Sequence, residues 1–204
     1  DPLLADGTLE PQDEGSQWLV ACLPLRRGES VLDYCAGAGG KSLALAAAGA
    51  EVSATDADAH RLRRLPARAR RAGARVRLVT FPPPLADTFD GVLVDAPCSG
   101  NGALRRAPER RLDRPDLEAL AALQGQVLRD AARHVRAGGW LVYATCSLSR
   151  RENETVVADF AATHPDFDPT DLAQPEGGGA PQLRLWPHRH GTDGFFAAGF
   201  RRRG

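Results

Sequence analysis

Short apolar runs alternate with polar, helix-forming stretches along almost the whole chain. Ser30–Tyr34 (SVLDY), Glu51–Thr55 (EVSAT), Arg75–Thr80, Asp90–Asp95 (DGVLVD) and Trp140–Thr145 (WLVYAT) have the length and character of buried strands. Between them lie stretches of helical character. Lys41–Ala48 is rich in Ala and Leu, and Gly49 stops it. An Arg-rich helix over 57–72 follows, disturbed at Pro66. Asp116 is an N-cap for a helix running to Arg136, which Gly138-Gly139 ends. Arg151–Thr163 forms another helix, closed by His164-Pro165. Ser16–Leu25 predicts a short helix ahead of the first strand, ended by Pro24 and Gly28. Gln182–Trp186 and Phe195–Phe200 are two further strands, and a long loop spans Ala96 to about Pro115. Strands alternating with helices predict an α/β fold with a mainly parallel sheet. Such sheets bind ligands beyond the carboxyl ends of their strands, where the strand order switches. The residues with special chemistry stand just after the first, second, fourth and fifth strands.

Composition narrows this picture. At 204 residues, 43% of them hydrophobic, the chain suits one globular domain, or a domain plus an arm. No apolar run is long enough to span a bilayer. The start, DPLLADGTLE, lacks the basic head and apolar stretch of a secretory signal, so a cytoplasmic location is expected. A start without Met points to a fragment or a processed chain. Cys22, Cys35, Cys98 and Cys146 are widely spaced without a C-x-x-C pattern, which argues against a structural zinc site and against a disulfide framework. For Cys22 and Cys35 the plain reading is a small buried apolar residue. The formal net charge is zero, but arginines crowd into 61–77 and 105–114 and end the chain at Arg201, Arg202 and Arg203. Acids such as Asp13 and Glu14 lie near the N-terminus. On charge alone these are solvated faces of an Arg-rich protein whose only lysine is Lys41.

Chemistry concentrates at two places. In Asp33–Ser42 a strand enters a turn with Gly37, Gly39 and Gly40, then a helix begins. Glycines let the backbone approach a ligand, and the helix N-terminus offers free N–H groups to an anion. A pyrophosphate fingerprint needs glycine where Ser42 stands, which disfavours a pyrophosphate and leaves open a carboxylate, such as that of a methionine moiety. Asp56, 16 residues after Gly40, can accept from both hydroxyls of a ribose or cap the helix that follows. At the second place, Asp95-Ala96-Pro97-Cys98-Ser99-Gly100 follows the fourth strand and Thr145-Cys146-Ser147 the fifth. Adjacent strand ends bring both cysteines and Asp95 into one pocket. An acid ending an apolar strand is costly unless paired or functional. The Arg-rich loop at 105–114 follows Cys98 and is placed to hold phosphates, with Arg106 the leading candidate. An ion pair of Arg106 with Glu109 or Asp113 is the competing reading.

These residues resemble the Sun/RsmB-like family of RNA cytosine-5 methyltransferases. The resemblance rests on Gln12–Gln17, the turn from Cys35 to Ser42, DAPCSG at 95–100 with Gly102 and Arg106, Tyr143-Ala144-Thr145-Cys146-Ser147, Glu152-Asn153, and Asp193-Gly194-Phe195-Phe196. DAPCSG and TCS in this order are highly specific; the glycine turn alone is weak. The resemblance implies a Rossmann-like class I methyltransferase fold, α/β and mostly parallel, with an antiparallel strand near the C-terminus. It implies an N-terminal segment, 1–29, packed on a catalytic domain, 30–204. S-adenosyl-L-methionine is then held by Cys35, Ala36, Gly37, Gly39, Gly40, Lys41, Asp56, Asp95 and Pro97. RNA, ribosomal ahead of transfer RNA, meets Arg105, Arg106 and Lys41. Neither a metal nor an oligomer is implied. Cys146 becomes the nucleophile toward carbon 6 of cytosine, Asp95 holds the N3 edge, and Cys98 helps release the product.

The chain also departs from the family pattern. The family's A-P-G-G-K-T lacks its proline here, reading Gly37-Ala38-Gly39-Gly40-Lys41-Ser42. After the third strand the family offers an Asp near the adenine. This chain has Thr80-Phe81-Pro82-Pro83-Pro84, so either Asp87 a few residues later substitutes or the adenine is held by apolar contacts and backbone alone. Full-length members often carry a further N-terminal RNA-binding domain. Three alternatives rank lower. A DNA cytosine-5 methyltransferase has its nucleophile in the Pro-Cys motif after strand four, commonly followed by Gln, where this chain has Ser99. An RNA-binding scaffold leaves the two cysteines unexplained. A dehydrogenase lacks its third glycine.

Overall fold

The computed structural model describes residues 2–204. Five strands run parallel: β1 (Ser30–Asp33), β2 (Glu51–Ala54), β3 (Val76–Leu78), β4 (Phe89–Asp95) and β5 (Val135–Thr145). The later strands are β6 (Phe167–Pro169), β7 (Leu172–Ala173), β8 (Gly179–Ala180), β9 (Gln182–Leu185) and β10 (Phe195–Arg202). The main sheet has the order β3-β2-β1-β4-β5-β10-β6, with β9 also paired to β10. β10 is antiparallel to β5, β6 and β9, as the resemblance implies for the C-terminal end. β7 and β8 form a separate two-stranded pair. The chain winds outward from β1 to β3, then returns to lay β4 against β1. A crevice therefore opens at the carboxyl ends of β1 and β4.

Alternation along each strand builds two cores, one on each face. Leu32, Val92, Val94, Leu141 and Tyr143 pack with Leu128 and Ala131 of α6 (Leu117–Ala132) and Val156 and Phe160 of α7 (Glu154–Thr163). Their neighbours Val31, Leu93, Trp140 and Val142 face the other way. They pack with Leu19 and Val20 of α2 (Glu14–Ala21) and Leu45 of α3 (Gly40–Ala47). The remaining helices are short: α1 (Pro2–Ala5), α4 (Ala59–Leu62), α5 (Leu65–Arg71) and α8 (Pro187–His190). No helix is long and apolar enough to cross a membrane among the described residues.

Several elements differ from the sequence expectation. The helix over 57–72 is two helices. Asp58 caps α4, and Pro66 sits in the first turn of α5, where its missing N–H costs nothing. The helix opened by Asp116 stops at Ala132 rather than Arg136. Val135 is fully buried and pairs with Phe89, so the chain is already strand before Gly138-Gly139. That glycine pair lies within a register irregularity of β5 instead of ending a helix. The helix over 16–25 starts earlier, because Asp13 caps it through the Gly15 N–H, and it ends at Ala21. Residues 151–153 stay outside α7, and the strand over 75–80 shrinks to Val76–Leu78. Strands β6, β7 and β8 carry no clear strand pattern in the sequence.

Candidate active site

The glycine turn after β1 is built as a cradle. Gly37 and Gly39 have φ of 54° and 83°, values that L side chains rarely adopt. A Cβ on Gly39 would stand 2.2 Å from a Leu65 methyl, so the turn packs directly on α5. Asp56, buried at the end of β2, accepts from the Gly37 N–H (2.8 Å) and from the Asp58 N–H (2.9 Å). Asp58 rather than Asp56 caps the following helix. Asp56 is thus tied to the glycine turn.

A cleft of about 300 Å³ opens here, lined among others by Asp33, Cys35, Ala36, Gly37, Lys41 and Asp95. Gly40 and Arg106 also reach it. Gly39, Asp56 and Pro97 are not part of this lining; the Pro97 carbonyl accepts from Gln124 Nε2 (2.9 Å). Asp33 accepts from the Ser42 hydroxyl (2.6 Å) through Oδ2, while its buried Oδ1 has no partner among the described residues. Burial pushes Asp33 up to about 7, against the Ser42 hydrogen bond.

A pH dependence follows. In the fold Asp33 keeps a proton that the unfolded chain, titrating near the ordinary 3.8, has released. Its contribution to stability is complete below pH 4 and is lost as pH rises to about 7. Asp33→Asn, neutral throughout, escapes that loss. The stability of the variant relative to wild type should grow between pH 4 and pH 7 by up to about 4 kcal/mol, then level off. Urea unfolding across this range checks it, and a constant difference would refute it.

Beyond the cleft, β4 and β5 deliver the two cysteines. Cys98 Sγ and Cys146 Sγ stand 3.4 Å apart as free thiols at hydrogen-bonding distance. The Cys98 thiol donating to Cys146 holds the latter below the ordinary thiol range, against burial and the nearby Asp95 carboxylate. Lys41 and Arg110 add to the lowering. Cys98 moves the other way, pushed up by the same hydrogen bond and by burial. The pair is therefore polarised, with Cys146 the more acidic thiol. Asp95 accepts from Lys41 Nζ at 2.7 Å. Burial works against the Lys41 charge, but Asp95 overcomes it and Lys41 shifts upward.

The basic loop is arranged differently from the simple expectation. Arg106 pairs with neither Glu109 nor Asp113; it bonds fully buried Asp193 through Nε (2.7 Å) and Nη2 (2.5 Å). Arg105 meets Asp13 at 3.1 Å and Asp193 at 3.6 Å. Sequence separations of 87 and 92 residues hide these partners. Arg110, exposed over Gly100, has no acid partner among the described residues; a Cβ on Gly100 would stand 2.1 Å from its Nη1. The sequence also gives no role to Glu152 and Asn153 beyond the family motif. Glu152, fully buried, accepts from the Ser99 N–H (2.7 Å), the Ser99 hydroxyl (2.6 Å), the Ser147 hydroxyl (2.5 Å) and Gln124 Nε2 (3.1 Å). Asn153 accepts from the Thr145 hydroxyl (2.7 Å) and donates to the Ser147 carbonyl (2.8 Å). An acid–amide pair before a helix reads as capping, which masks this use; the Asn153 side chain makes no cap bond.

This sheet order, with a glycine turn after β1, an acid after β2 and an antiparallel β10, defines the Rossmann-like methyltransferase class. The solved structure of PH0851 superposes with a TM-score of 0.90 at 33% identity, covering 99% of this chain and 49% of that one. NSun6 from Pyrococcus horikoshii gives a TM-score of 0.84 at 28% identity, covering 99% of this chain and 55% of that one. The family model for 16S rRNA methyltransferase RsmB/F matches residues 20–201, and the chain belongs to that family. Ribosomal RNA small subunit methyltransferase B of Thermus thermophilus is 41% identical over 199 residues, 95% of this chain and 50% of that protein. The chain spans about half the length of the curated relatives it matches.

Proposed function

We propose that this domain methylates carbon 5 of a cytosine in RNA, through a covalent bond between Cys146 and carbon 6. The observation that carries the reading is the sulfur pair, 3.4 Å apart at adjacent strand ends beside the Lys41–Asp95 ion pair. Carbon 5 of cytosine is a poor nucleophile. The Cys146 thiolate adds to carbon 6 and shifts electron density to carbon 5 and the N3 edge. Asp95, held by Lys41, shares a proton with N3 and so stabilises the charge that develops at that edge. After methylation the carbon 5 proton is removed with Cys98 assisting, the double bond re-forms, and Cys146 leaves as thiolate.

The cofactor end fits S-adenosyl-L-methionine. Its ammonium suits the unpartnered Asp33 Oδ1, its carboxylate the glycine turn and the start of α3, and its ribose Asp56. When bound, it supplies the methyl group that carbon 5 accepts. The target base must leave its stack to reach Cys146. Arg105, Arg106 and exposed Arg110 hold the phosphates around it, and Arg110 has no competing acid among the described residues. The relatives named as ribosomal RNA small subunit methyltransferases favour ribosomal RNA as the substrate, with transfer RNA second.

The test is transfer of labelled methyl from S-adenosyl-L-methionine to unmodified small-subunit ribosomal RNA and to transfer RNA, followed by nucleoside digestion. Label in 5-methylcytosine is expected. Label in a ribose methyl or another base would overturn the chemistry. No transfer to either RNA, with the cofactor shown to bind, would overturn the activity of this domain.

A further inference from the structure

Among the described residues, Glu152 is a buried carboxylate bonded by neutral donors alone. Burying a charge without a cation is expensive, so the site that retains it has a reason to do so. Its donors name that reason. Ser99 directly follows Cys98, and Ser147 directly follows Cys146. One carboxyl group therefore spans both cysteine loops. Oε1 takes the Ser99 N–H and the Gln124 amide, while Oε2 takes both serine hydroxyls. Each hydroxyl has a single proton. Its next acceptor is distinctly farther: Ser147 Oγ lies 3.3 Å from Ser99 Oγ, and Asn101 Oδ1 lies 3.4 Å from Ser147 Oγ. The short bonds to Glu152 therefore hold the protons. The Glu152 carbonyl is fixed in turn by the Tyr143 hydroxyl at 2.5 Å, anchoring the clamp to β5.

We propose that Glu152 is a positioning residue for the cysteine pair, its carboxylate locking the Cys98 loop to the Cys146 loop so that the two sulfurs stand at hydrogen-bonding distance. This rests on the cysteine-pair chemistry given above, but it acts on a property of the protein alone. Without the clamp the loops separate, and Cys146 loses the Cys98 thiol that stabilises its thiolate. The other charges facing Cys146 are Asp95, Lys41, Arg106 and Arg110, and none of them bonds Glu152. Glutamine can substitute in part. Its oxygen keeps the Ser99 N–H and its amide donates to the hydroxyls, which turn to the longer acceptors.

The experiment is the pH profile of iodoacetamide alkylation at Cys146, read by peptide mass spectrometry without RNA or cofactor. Glu152→Ala is expected to move the midpoint up by about one pH unit, the loss of one hydrogen bond to a charged sulfur. Cys98→Ala should move it equally, and the double variant no further, because both act through the same bond. Glu152→Gln should return the profile toward wild type. A purely structural Glu152 would lower the melting temperature and leave the profile unmoved, or shift it additively with Cys98→Ala; either result overturns the proposal. Should Glu152→Ala fail to fold, Glu152→Asp keeps the charge but cannot span both loops, and the same shift is required of it. A shifted profile in a protein that makes no 5-methylcytosine would sustain the positioning role and overturn the proposed reaction instead.

Discussion

Cys146→Ala is expected to reduce methyl transfer by roughly 10⁴-fold or more, the size of effect seen when a covalent nucleophile is removed. Cys98→Ala should do something different: hold the RNA on the protein as a covalent complex that survives denaturing electrophoresis. The asymmetry comes from the charges around the pair, since Lys41 and Arg110 favour the negative charge on Cys146. The two sulfurs share one hydrogen bond, yet it lowers Cys146 and raises Cys98. On the proposed mechanism the attacking thiolate is Cys146, while Cys98 keeps its proton and serves the later steps. Losing Cys98 also removes the hydrogen bond that favours the Cys146 thiolate, so attack slows modestly at neutral pH. Release slows more, by about 10²–10⁴-fold for a group that assists proton transfer. The adduct should consequently accumulate when cofactor is supplied and vanish in the double variant. Two variants that both lose turnover without an adduct would remove the distinction between the sulfurs.

Gly102→Ala is the second large effect. Gly102 donates to the Cys146 carbonyl (2.9 Å), and its own carbonyl accepts from the Gly194 N–H (2.9 Å). It is the point where the loop after β4, the loop after β5 and the turn before β10 meet. A Cβ there would lie 2.4 Å from the Gly194 carbonyl oxygen and 2.8 Å from that of Cys146. Both neighbours are backbone atoms, so no side chain can swing aside. Destabilisation of about 1–3 kcal/mol is expected from the overpacking. Because one of the displaced atoms belongs to Cys146, activity should fall on the order of 10²-fold, the cost of misplacing a reacting group by about 1 Å. Urea unfolding and methyl transfer on the same preparation check both numbers. A variant that is destabilised but fully active would show that the Cys146 loop tolerates the shift.

Much of the local chemistry is legible in the amino-acid sequence. SVLDY, DGVLVD and WLVYAT are continuous apolar runs because both faces of their strands are covered, and they form β1, β4 and most of β5. The glycine turn, Asp95 and both cysteines can be placed at strand ends because a strand followed by a breaker ends where the breaker stands. Where a boundary depends on a distant partner, local pattern misleads. The helix after Asp116 stops at Ala132 because Val135 pairs with Phe89, 46 residues earlier. Arg106 has Glu109 and Asp113 as its neighbours in sequence, yet it takes Asp193 instead. Glu152 and Asn153 look like the start of a helix, yet their side chains turn away to bind the cysteine loops. Composition and local pattern determine which segments form strands and helices, because burial and backbone propensity act over a few residues. Which charges meet, how close two sulfurs stand, and which acid clamps them depend on the order of strands in the sheet. Only the folded chain decides that, because the contacts that join the arginines to their acids and one cysteine loop to the other link residues 48 to 92 positions apart.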